Sequence, residues 1–256
     1  MTLKLGKHPA TPRAKDLLFT RYTTGTLPKP TANFGFDAVK PADGWGMLGN
    51  DNYGDCVWAG ACHEHILASG AKRPGGTKPP PAKFSDTTAL SDYATVTGFD
   101  PVTGAGDDGT NVHDAMSYRQ HTGILDTAGA RHKIGAYVSV TPRDVTELLQ
   151  AAYLLETVGI GIQFPQSAMD QFNAGQAWSI VSGSPVEGGH YVPVVGYRRG
   201  LLEVITWGRL QQMTISFYQR YNDESWGFVS TDMLEGTTTS PRGFDMQQLT
   251  NDLGQL

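Results

Sequence analysis

The stretch GGHYVPVVGYRRGLLEVITWG, residues 188–208, reads as two strands, HYVPVVGY (190–197) and LLEVITW (201–207), folded together through Arg198, Arg199 and Gly200. Outward from it, MTISFYQRY (213–221) and GFVS (227–230) read as further strands, and the four are expected to form an antiparallel set joined by short turns. IGIQF (160–164) is a strand upstream of them, and AYVSV (136–140) alternates as another. Between these two lies TPRDVTELLQAAYLLETVG, which predicts a helix with Thr141 as N-cap, Pro142 at its first position and Leu148, Ala152 and Leu155 on one face. Further back, Asn111 is placed to cap a helix in VHDAMSYRQHTG that Gly123 ends. Asp55 is placed to cap a helix from Cys56 to about Ser69, along which Val57, Ala61, His65 and Ala68 recur at helical spacing. Helices gather in the first half and strands in the second, an order that predicts an α+β fold of two lobes instead of alternating α/β.

The 256 residues suffice for a substantial core, with 39% hydrophobic and 18% charged residues. No segment approaches 18 uninterrupted apolar residues, and the opening MTLKLGKHPATPRAKDLLF carries charges and prolines where a signal peptide needs an apolar run. Cys56 and Cys62, six apart on one helix, would be about 9 Å apart, too far for a disulfide. Free thiols fit a reducing compartment, so a cytoplasmic or virion-associated protein is expected, with no membrane partner. Walker A, Rossmann, HExxH, paired CxxC and GxSxG motifs are all missing. His63 and His65 point to different sides of their helix, and His113 and His121 have no neighbouring acid or cysteine spacing and read as surface residues. Neither a metal nor another cofactor is expected.

Charge is uneven. Residues 1–45 carry a balance of +4 with five prolines, leaving −9 for the rest. They read as an extended basic arm that packs on the acidic body or reaches a protein partner; a body of that charge makes nucleic acid a poor partner. A domain over 46–235 and a tail over 236–256 complete the division. AKRPGGTKPPPAK (71–83) reads as an exposed loop, and GFDPVTGAGDDGTN (98–111) as a solvated acidic one.

One constellation carries chemistry. A thiol at a helix start, Cys56 after GNDNYGD, feels the positive end of the helix dipole, and a histidine facing it would complete a thiolate–imidazolium pair. GDCVWAGA, VTPRDVTELLQAAYLLETVGIGIQF and GGHYVPVVGY resemble the nucleophile helix, the central helix and strand, and the histidine hairpin of the papain-like cysteine peptidase superfamily, in its papain and C39-type branches. The resemblance covers roughly residues 46–230, and the 134 residues between Cys56 and His190 match the roughly 130–150 of papain-type enzymes. It implies a two-lobed papain-like fold, helical lobe first and antiparallel-sheet lobe second, with Cys56 as nucleophile and His190 as general base. The family's oxyanion glutamine, six residues before the cysteine, is Asn50 here, with Asn52 as second candidate. ITWG stands where the family has Asn-Ser-Trp-Gly, so Ile205 takes the orienting asparagine's place and the neighbouring Thr206 offers the hydroxyl that could hold His190. On an ideal strand Thr206 and Trp207 face opposite ways, and Asp223 or Glu224 could stand at His190 instead. The implied activity is a thiol hydrolase cleaving an amide or isopeptide bond of a peptide or protein through an acyl-enzyme. The alternative is a papain-fold structural or binding protein of a larger assembly, such as a virus particle, whose site has drifted.

Overall fold

In a computed structural model, which describes residues 3–22, 29–35, 41, 43–70 and 80–230, the first long helix has no face towards water. After a short strand β1 (Phe34–Gly35) comes this helix, α1 (Cys56–Gly70), and every one of its residues is buried. Its small and apolar residues lie all round the axis, which is what a central helix needs. Helices α2 (Asp86–Thr97) and α3 (Val112–His121) pack against it, with Trp58, Tyr93, Val112, Ala115 and Met116 in one buried cluster. Asn111 caps α3 by accepting from the His113 N–H. Asp55 acts differently from expectation: its main-chain carbonyl accepts from Trp58 and Ala59, while its carboxyl is buried. Helix α2 was not anticipated, since DTTALSDYATVT holds few apolar residues; its local signals are the Ser85–Thr88 capping box and Gly98 at φ 80°.

A small hairpin, β2 (Ile124–Leu125) and β3 (Arg131–His132), leads to the sheet lobe. There follow β4 (Ile134–Ser139), α4 (Val145–Leu155), β5 (Val158–Pro165), α5 (Gln166–Asn173), β6 (Val186–Arg198), β7 (Leu201–Thr206), β8 (Arg209–Thr214), α6 (Ile215–Tyr221) and β9 (Asn222–Ser230). The main sheet runs β4-β9-β5-β6-β7-β8 with β1 on β6, all pairs antiparallel. The fold is α+β, with helices first and sheet second.

Three expectations need correction. Helix α4 starts at Val145, capped by the Asp144 carboxylate on the Glu147 N–H; Arg143 at φ 68° breaks the chain from Thr141 and Pro142. MTISFYQRY is a strand only to Thr214, whose hydroxyl caps α6 at the Phe217 N–H. The last strand pairs with β5 and β4, not with β8, because α6 carries the chain back across the sheet.

The arm is more than a surface strap. Leu3, Phe19 and Phe34 are buried in the same core as Val158, Val192 and Leu202, and Leu18 bridges Ser139. Phe19 is 1% exposed, so Phe19→Ala is expected to cost about 3 kcal/mol, read as a lower midpoint in urea unfolding. Residues 71–79 of the proline-rich loop and the tail 236–256 lie outside the described residues.

Candidate active site

Cys56 is the first residue of α1, where the helix leaves amide N–H groups without intrahelical partners. The loop before it is fixed from the acidic stretch 98–111: Asp107, expected in solvent, accepts from the Gly54 N–H at 2.8 Å and the Tyr93 hydroxyl at 2.9 Å. His190 lies on β6 opposite Ile162 of β5, and the Tyr191 amide that follows it reaches the Cys56 thiol. Helix α1, which starts at Cys56, packs against β6, which carries His190.

Strand β7 brings the third group. His190 Nε2 and Thr206 Oγ1 are 2.7 Å apart, both buried. Trp207 at φ 44° and Gly208 at φ 75° form the two-residue turn between Thr206 and Arg209, the conformation that suits a tight hairpin. That turn ends strand alternation, so Trp207 does not face away from Thr206 as expected. Its indole stacks on the imidazole at 4.3 Å and 15°. Ile205 points elsewhere, into an apolar cluster with Ile66, Leu67 and Val195. With Nε2–H donating to Thr206, Nδ1 keeps a lone pair, and it is buried without a hydrogen-bond partner.

Neither of the other two candidates stands free beside the thiol. Asn50 is buried, and its amide donates to the Tyr53 carbonyl at 3.0 Å. Asn52 has its side chain in solvent. Asp223 and Glu224 are not at His190; they hold Lys7, through Nζ distances of 3.1 and 2.7 Å.

Lys7 belongs to the arm, which crosses the junction directly over the thiol. The Gly6 and Lys7 N–H groups donate to the Gly189 carbonyl at 3.1 and 3.0 Å, and the Gly6 carbonyl accepts from the Thr110 N–H at 2.7 Å. Lys4 donates to the Asn50 carbonyl at 3.2 Å. A methyl group on Gly109 would overlap the Gly6 carbonyl, and one on Gly189 the Lys7 carbonyl. The backbone can pass only because these residues have no side chain. The sequence reading missed this, although Leu-Gly-Lys in the arm and Gly-Gly before His190 are its traces.

Under the arm, burial favours the neutral form of both groups. Burial pushes the Cys56 thiol up to about 12, against the opposing pull of the Tyr191 amide, and Asp55 beside it adds to the rise. Burial alone lowers His190 to about 3. Burial likewise raises Cys62 and Asp55 well above their ordinary values.

Among solved structures, xylellain, a cysteine protease from Xylella fastidiosa, aligns at a TM-score of 0.62 and 13% identity over 90% of this chain and 98% of its own. The fold is papain-like. The papain-like match extends to the proform of the ragweed pollen cysteine protease Amb a 11 (TM-score 0.57, 18% identity, 87% of this chain, 64% of that one). It extends also to procathepsin B S9 from Trypanosoma congolense (0.57, 10%, 89% and 86%). No protein-family model and no curated protein sequence matches the chain.

The histidines outside the site are structural parts of this papain-like body. His63 Nε2 faces the Trp45 and Gly46 carbonyls at 2.9 and 3.2 Å. His113, expected at the surface, is buried against Trp226 at 4.7 Å. Among the described residues no group of three His, Cys, Asp or Glu could hold a metal ion, and no helix is long and apolar enough to cross a membrane.

Burial lowers His63 to about 4, so the folded state binds its proton less readily than the unfolded chain does near 6.5. That contribution is complete above pH 6.5 and is lost as the pH falls through this range, about 3 kcal/mol in all. His63→Gln should flatten the fall of Tm between pH 6.5 and 4, measured against the parent chain.

Proposed function

We propose that the protein is a thiol hydrolase that cleaves an amide or isopeptide bond through an acyl-enzyme on Cys56, and that residues 4–8 keep it latent. The observation that carries this reading is the Thr206–His190 hydrogen bond under the Trp207 indole, on a strand packed against the helix that Cys56 opens. A histidine whose ring direction is held by a hydroxyl and an indole, with its other nitrogen bare, is what a base needs and what a merely structural histidine does not.

Once the arm lifts, water relieves the burial that dominates both groups. The thiol falls towards the range of helix-start cysteines and the imidazole rises towards 6.5, so the proton passes from Sγ to Nδ1. The thiolate attacks the carbonyl carbon; the oxyanion is met by the Cys56 N–H and by the Asn50 amide once it turns from Tyr53. His190 gives its proton to the departing amine as the C–N bond breaks. It then takes one from water, whose oxygen attacks the thioester and frees the acid and the thiol. The arm itself is a poor substrate: its Gly6 N–H is held by the Gly189 carbonyl and its Gly6 carbonyl by the Thr110 N–H.

Incubation with a pooled library of fluorogenic peptide amides, followed by mass spectrometry of the acid-quenched protein, tests the reading in the full chain and in Lys7→Ala. An acyl adduct on Cys56 that disappears in Cys56→Ala is expected, stronger in Lys7→Ala. Turnover without any Cys56 adduct, or turnover surviving Cys56→Ala, would overturn it. Thr206→Val should lower kcat about tenfold, about 1.4 kcal/mol, with KM unchanged, since it holds the base and touches no substrate.

The second reading, a binding protein on this scaffold, is favoured by one observation: the Asn50 amide is spent on Tyr53. It expects peptide binding in the junction with no adduct in either protein.

A further inference from the structure

The side chain of Lys7 is fully buried, although it belongs to an arm that lies against the outside of both lobes. It enters a pocket built two strands from the histidine. Along one line of the sheet Glu224 of β9 pairs with Gly161 of β5, and Gly161 pairs with Tyr191 of β6. Gly161 has no positive φ to explain it; its role is space, because a methyl there would overlap Lys7 Cε and crowd the Asp223 carboxylate and Glu224 Cγ. The pocket's end is fixed: the Trp226 indole donates to Glu224 Oε2 at 2.9 Å, leaving Oε1 for Lys7 at 2.7 Å. Asp223 Oδ2 lies 3.1 Å from Lys7 Nζ, and the His8 carbonyl accepts its third hydrogen at 2.7 Å.

A slot on the face of the sheet, opened by a glycine and closed by two carboxylates, suits one shape: a straight alkyl stem ending in an ammonium. From the occupant and its walls, we propose that Gly161, Asp223 and Glu224 form a substrate-selecting pocket for a lysine side chain, which the arm's own Lys7 fills in the latent state. A lysine seated there places the neighbouring main chain against Gly189 and over Cys56, as Lys7 places Gly6. Acidic and shorter apolar side chains are rejected, the first by like charge and the second by leaving two carboxylates in the pocket without a cation. Selection of substrate rests on the hydrolase reading; the binding does not.

The two are separable in the full-length double variant Lys7→Ala, Cys56→Ala, which has an empty pocket and no nucleophile. Fluorescein-labelled peptides LKLGKHPA and the same sequence with norleucine for the fifth residue are titrated by anisotropy. At least tenfold tighter binding of the lysine peptide is expected, and the preference should vanish when Asp223→Asn and Glu224→Gln are added. Equal binding of the two peptides, or a preference that survives loss of both carboxylates, overturns the pocket whatever the catalytic outcome. If Lys7→Ala does not fold, Lys7→Gln, which keeps the stem and an amide donor, takes its place with the same criteria. Selective binding by this double variant, with no adduct in any protein that retains Cys56, would sink the hydrolase and leave the pocket standing.

Discussion

Lys7→Ala is expected to raise the rate at which iodoacetamide alkylates Cys56 by about a hundredfold at pH 7.5, while Cys62 stays inert. Both thiols are buried in the intact chain, at 1% and 2% exposure, so the helix start alone gives Cys56 no advantage while the arm is seated. What differs is the cover. Both thiols lie in the buried cluster with Trp58 and Ala59, but Cys62 is inside α1 while Cys56 is its first residue, just after Gly54, which the arm's Gly6 backbone crosses. The arm's hold at this place is the Lys7 ion pair with Asp223 and Glu224, and removing one member of a buried pair typically costs about 3–5 kcal/mol because the remaining charges lose their partner. Spent on arm seating, that shifts the open population by about two to three orders of magnitude. The charge of Lys7 by itself pulls the thiol down, so its loss without opening would make Cys56 less reactive still. Slower or unchanged labelling, read by peptide mass spectrometry of both cysteines, would show that the arm stays shut and that Lys7 is not its latch. Gly161→Ala, which fills the slot, should act in the same direction.

The parts of this arrangement that were legible in the sequence are those fixed by local chemistry. The start of α1 at Cys56 and the β6–β7 hairpin follow from turn residues and alternation close to each site. Thr206 was readable because its hydroxyl is the polar group the returning strand offers to His190, but the stacked Trp207 was not, since alternation stops where two successive residues take positive φ. The strand–helix switch at Thr214 was hidden because ISFYQRY carries β-branched and aromatic residues that suit either state. Least legible were the long-range encounters. Nothing local to Lys7 says that residues 223 and 224, more than two hundred positions away, will hold it, nor that Gly54, Gly109 and Gly189 are empty so that Gly6 can pass. The basic balance of the arm against the acidic body pointed to contact, but charge balance gives attraction without address.

His190→Ala, made in the Lys7→Ala background, is expected to lower kcat/KM for peptide amides by about ten-thousandfold, about 5 kcal/mol, far beyond the tenfold loss expected of Thr206→Val. In the mechanism, the imidazole takes the thiol proton, then returns it to the amine, then activates water, and no neighbouring group can replace it: Thr206 carries only a neutral hydroxyl, and Asp223 and Glu224 lie on β9, two strands from the ring. Loss of the ring also empties a space lined by Phe164 and Trp207, which stand at 5.4 and 4.3 Å from it, so some loss of stability comes with the substitution. His190→Gln fills most of that space and carries an amide that can still reach Thr206 but cannot cycle a proton; it should be as inactive as His190→Ala while unfolding close to the parent. The pH profile of Cys56 alkylation separates base from packing. With His190 present, thiolate forms as an ion pair and labelling persists below the ordinary thiol range; without it, labelling should rise in a single step near 8.5. A His190→Gln protein that keeps the parent's profile and loses less than tenfold in kcat/KM would remove His190 from the chemistry and leave the Trp207 stack as packing alone.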